Sequence, residues 1–136
     1  MAPELTLNEF NGALRRLLVL ACAADEVIEP TEVEMLQKVY RSLAGGDLTE
    51  SDLLDELSEL QGHPVGISEH VSSVARRLSW DRKQTLLKAA ILVATADGTV
   101  QDEEGVLVES VASALSQDSK ELDRLIKAVQ YKPKSS

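Results

Sequence analysis

Residues 14–43 lie over residues 86–115 without a gap, at a constant offset of 72. Leu14, Leu20, Ala24, Asp25, Glu32, Val39 and Leu43 meet identical residues at Leu86, Leu92, Ala96, Asp97, Glu104, Val111 and Leu115. Arg16/Lys88, Val19/Ile91, Ile28/Val100, Met35/Leu107 and Leu36/Val108 keep their chemistry. Helical packing alone accounts for the apolar matches, but not for Asp25/Asp97 or Glu32/Glu104. Each copy reads as an apolar helix ending in Ala-Asp, a short turn, and a second helix with Glu seven residues after the Asp. A repeat of this kind predicts a duplicated helical hairpin with acidic turns.

At 136 residues the chain is long enough to bury a core as one domain over residues 1–136, with a short frayed tail at 130–136. Only 3% of residues are aromatic, so that core is built from Leu, Val, Ile and Ala. Such a composition suits packed helices better than a sandwich or barrel. No convincing period-two alternation appears. The spacing predicts an all-α fold of about seven helices in two pseudo-symmetric hairpin halves, with Leu18, Leu20, Ala90 and Leu92 buried in the two central helices.

Local signals set the boundaries. Thr6 with Glu9 reads as a capping box for the first helix, and Pro30 suits the first turn of the second. Gly45-Gly46 stops the second helix and Thr49 caps the third, whose stripe is Leu53, Leu54, Leu57 and Leu60. Residues 61–67 connect the halves. Ser68 opens a short fourth helix, Asp81 caps a fifth running to about 96, and the sixth spans about 102–115. Asp118 with Glu121 is a second capping-box signal.

The formal charge of −9 disfavours nucleic acid, because phosphate contacts need Lys or Arg. It is compatible with a cation or a basic protein partner. Cys22 stands alone, so no intramolecular disulfide forms, and it reads as a small buried hydrophobe. No signal peptide and no run of about 18 apolar residues is visible, which predicts a cytoplasmic protein without a transmembrane segment.

The turn residues Asp25, Glu32, Asp97 and Glu104 have two readings. Each Asp/Glu pair holds its hairpin by bonding turn backbone, or all four converge on a divalent cation such as calcium, magnesium or manganese. Two carboxylates are too few for a strong site, and the spacing departs from the calcium-loop pattern. His63 and His70 are seven apart, outside usual ligand spacing, and read as a loop and a helix-surface histidine. Arg76, Arg77, Arg82, Lys83 and Lys88 form the one basic concentration. Either it is a solvated face, or Arg76, Arg77 and Arg82 with Trp80 dock an acidic partner or a second copy.

The doubled pattern resembles the TerB-like family, which includes tellurite-resistance proteins and the N-terminal regions of some DnaJ-type co-chaperones. The resemblance covers about residues 10–130. It is closer in the second copy, Ala96-Asp97-Gly98-Thr99-Val100 through Glu104, since Glu26 replaces the Gly in the first. It implies an all-helical duplicated fold, acidic positions suspected of binding metal, an association with chemical stress and with assemblies near the membrane, and no catalysis. Carried onto this chain, the acidic positions are Asp25, Glu32, Asp97 and Glu104. The expectation is a non-catalytic stress-response module acting through protein contacts or self-association, reaching a membrane only through a partner. The alternative is a small helical adaptor whose acidic turns are purely structural.

Overall fold

The computed structural model describes residues 4–22, 30–95 and 102–129. They form seven helices and no strand: α1 Leu7–Cys22, α2 Pro30–Ala44, α3 Glu50–Gly62, α4 Ile67–Ala75, α5 Trp80–Ala94, α6 Asp102–Leu115 and α7 Ser119–Ala128. The expected tail at 130–136 lies outside the described residues.

The duplication is visible in the boundaries. α1 ends at Cys22 and α5 at Ala94; α2 begins at Pro30 and α6 at Asp102. Both differences, 94 − 22 and 102 − 30, equal the sequence offset of 72. Equivalent side chains also share a fate. Leu14 and Leu86, Leu18 and Ala90, and Leu36 and Val108 are all essentially inaccessible. Each fully buried leucine contributes roughly 1.5–3 kcal/mol relative to exposure, so the shared apolar pattern is what builds both hairpins.

α1 and α5 are central. α1 packs on α2, α3, α4 and α5, and α5 packs on α1, α2, α6 and α7. α3 lies on α1 as α7 lies on α5. The symmetry breaks at α4, which packs against both α1 and α6. α2 rests directly on α5, and α6 reaches α1 through both α4 and α5. α4 is therefore wedged between the two hairpins, while residues 61–64 of the expected connection are exposed.

Caps hold the helix ends. Thr6 N–H donates to Glu9 Oε1 at 2.9 Å and Glu9 N–H to Thr6 Oγ1 at 3.2 Å, a complete capping box. Thr49 and Asp52 make another at α3. Gly45 stops α2 with φ of 75°, a left-handed conformation that favours glycine, and its N–H donates to the Arg41 carbonyl.

Several expectations need correction. α5 starts at Trp80 and is capped by Ser79, whose hydroxyl accepts from Arg82 N–H, so Asp81 is inside the helix. α4 starts at Ile67, after Gly66, one residue before Ser68. Leu92 is 40% exposed and Leu20 half-buried, because α5 and α1 are covered unevenly towards their C-termini. Leu54 turns outward while Leu53 and Leu60 face inward.

Candidate functional site

Each acidic turn begins at the end of a central helix and runs into an acidic first helical turn, where negative charge suits the dipole. Pro30 is the first residue of α2, where its missing N–H costs nothing. Glu32 lies in that turn and is half-buried. Its carboxylate reaches the Cys22 thiol at the end of α1. Burial, then the charge and hydrogen bond of Glu32, push that thiol up to about 12. Glu104 lies in the first turn of α6, and only its backbone is described. Asp25 and Asp97 lie outside the described residues. Among the described residues, no three His, Cys, Asp or Glu side chains gather as a metal site.

The basic cluster divides. Arg76 is exposed at the end of α4 and lines an open cleft with Ser72, Lys83, Ser116 and Gln117. Arg77 and Arg82 turn towards the N-terminal segment. Arg77 meets Glu9 at 3.4 Å, and Arg82 Nη1 donates to the Leu5 carbonyl at 2.5 Å while stacking over the Phe10 ring, 5.0 Å from its centroid. Trp80 is half-buried against the core, and its ring carries Arg124 of α7 at 5.0 Å. The residues expected on one docking face thus have separate surroundings: Arg76 faces solvent, Arg77 and Arg82 hold residues 4–9, and Trp80 pairs with α7.

Lys83 departs furthest from the solvated reading. It is 6% exposed, and its ammonium donates to Glu121 Oε1 at 2.6 Å. Glu121 therefore serves Lys83, while only its N–H completes the Asp118 cap. His70, expected on a helix surface, is buried with Nε2 3.0 Å from the Ala13 carbonyl. That contact joins the α4 wedge to α1. Burial lowers the pKa of His70, opposed by its bond to Ala13.

A second buried ionic cluster has no counterpart in the sequence reading. Glu56 of α3 is 4% exposed and accepts from Arg15 Nε at 3.2 Å and from Arg16 Nε and Nη2 at 3.1 and 3.0 Å. Arg16 also meets Glu59 at 3.1 Å. The signal was present: Glu56 stands between Leu53 and Leu60 at helical spacing, on the buried stripe. Lys83 similarly precedes Leu86, Leu87 and Ala90 on the inward face of α5.

Against known families, the model of the tellurite resistance protein TerB matches residues 11–127, nearly the whole chain. The chain belongs to the TerB family. No curated protein and no solved structure matches it. The matched span begins within α1 and ends within α7, so both hairpins and the α4 wedge belong to the TerB domain. No helix among the described residues is long and apolar enough to cross a membrane.

Proposed function

We propose that this TerB-family chain is a non-catalytic stress-response module of the tellurite-resistance type. It acts in the cytoplasm through protein contacts and binds a divalent cation through Asp25, Glu32, Asp97 and Glu104. The supporting observation is the register of the repeat. Both acidic turns leave a central helix and enter the next helix at equivalent positions, so each offers the same carboxylate pair. The high thiol pKa of Cys22 argues against a cysteine nucleophile, and the −9 charge against nucleic acid.

A competing reading, an adaptor with structural turns, is favoured by the Glu32–Cys22 contact, which already occupies one carboxylate. Titration of chelator-treated protein separates the two. If the turns bind a cation, calcium or magnesium raises Tm by mass action, and changing all four residues to their amides removes the rise. A flat titration of the unaltered chain leaves the adaptor.

A further inference from the structure

The α4–α5 junction holds the chain's own N-terminal segment as a receptor would hold a peptide. Residues 4–6 are not helical. Leu5 N–H donates to the Arg77 carbonyl at 3.0 Å, and Arg82 Nη1 donates to the Leu5 carbonyl at 2.5 Å. Between these two bonds the Leu5 side chain sinks into the core, 5% exposed. The Glu4 carboxylate stands 4.0 Å from the same Arg82 nitrogen. Main-chain hydrogen bonds on both sides of one buried anchor, with a cation facing the preceding acid, are the means by which extended peptides are read. Phe10 supports the Arg82 guanidinium from below, so the slot is shaped by α1 and α5 as well as by its occupant.

We infer that this junction is a recognition slot for an extended segment bearing an acidic residue followed by leucine, filled here in cis by Glu4–Leu5 and open to that pattern on a partner protein when the strap lifts. The inference rests on the N-terminal geometry and is independent of the acidic turns. One apolar anchor and two backbone bonds give weak binding, on the order of millimolar. A short tether supplies its own segment at a comparable effective concentration. Cis and trans occupants therefore compete on similar terms, and a partner segment that adds contacts beyond the slot displaces the strap. Of the basic residues expected on a partner surface, the slot keeps Arg77 and Arg82 in that role, and the Phe10 ring under Arg82 is a built-in reporter.

The experiment uses the full-length chain and a synthetic peptide of residues 2–8, followed by nuclear magnetic resonance at the Phe10 ring and the Arg82 side chain. Leu5→Ala weakens the cis occupant, so peptide should saturate this variant at about half the concentration that the unaltered chain needs. Peptide carrying the same Leu→Ala change should not bind, and adding Arg82→Met to the Leu5→Ala chain should abolish binding. Absence of peptide binding to a folded Leu5→Ala chain overturns the slot. A concentration-dependent dimer of the unaltered chain that Leu5→Ala dissolves also overturns it, making the occupant a second copy. Hydrogen exchange of the unaltered chain supplies a check that needs no variant. The Leu5 amide must exchange by local opening, well before those of Leu14 and Leu86; protection equal to the core would mean that the strap does not lift.

Discussion

The α1–α3 half and the α5–α7 half each fasten an outer helix to a central helix with a buried ionic contact, yet the contacts occupy non-equivalent positions. In the first half, Arg15 and Arg16 of α1 meet Glu56 of α3. In the second, Lys83 of α5 meets Glu121 of α7. The base comes from the central helix and the acid from the outer helix in both. At the offset of 72, Lys83 corresponds to Asn11, and Arg15 and Arg16 to Leu87 and Lys88. The repeat therefore preserves apolar positions and helix ends, while each half has its own polar fastening. Apolar contacts tolerate sequence drift if volume and pattern persist. An ionic contact needs both partners and cannot drift one residue at a time.

The first half offers the largest test of this comparison. Arg15→Met with Arg16→Met strands the Glu56 carboxylate in the interior. Breaking a buried pair in this way costs about 3–5 kcal/mol, measured by urea denaturation. α3 packs mainly on α1, so its amides should lose protection before those of α5 and α6. Equal loss across all helices would show that α3 is not separately fastened.

A smaller effect is expected in the second half. The Lys83 stem can carry its ammonium to the open cleft that it lines, so Glu121→Ala should cost about 1–3 kcal/mol, at or below the lower end of that range. Lys83→Met keeps the stem and leaves only the partly hydrated Glu121 carboxylate unpaired, so it should cost less than Glu121→Ala in the same denaturation series. A larger loss for Lys83→Met than for Glu121→Ala would separate the two halves, because the ammonium would then serve more than its one acid.

The mildest test falls on the α4 wedge, which neither half duplicates. Burial depresses the pKa of His70, with Arg16 lowering it further and Ala13 and Glu56 raising it. The folded state therefore refuses a proton that the unfolded state accepts below about pH 6.5. Stability should fall as pH drops from about 6.5, by at most about 1.4 kcal/mol per unit, until His70 is itself protonated. His70→Gln should flatten that part of the pH–stability curve. An unchanged slope would assign the acid sensitivity to the carboxylates.

The hairpin boundaries were legible because they depend on spacing and end signals: Thr6 with Glu9, Pro30, Gly45 and Thr49 all act where the sequence places them. Leu92 was misplaced because a repeat shows which positions match, not which are covered, and α5 is less enclosed near its end than the matching pattern implies. The polar fastenings were illegible for a different reason. Arg82 and Lys83 are adjacent in sequence, but a helix points them apart by about 100°. One meets the N-terminal strap and the other α7. Treating them as one basic cluster lost both contacts. Of the four carboxylates in the acidic segments, Glu32 is the one whose side-chain environment is described.

The Cys22–Glu32 contact has a consequence for chemical endurance. Oxidants, electrophiles and disulfide exchange attack the thiolate rather than the thiol. With its pKa pushed up to about 12, Cys22 stays in the thiol form at neutral pH. Burial first, and then the charge and hydrogen bond of Glu32, hold the chain's one sulfhydryl in its unreactive form. Cys22 should therefore react slowly with oxidants and electrophiles, and Glu32, which adds to the effect of burial, ties that inertness to one of the acidic pairs.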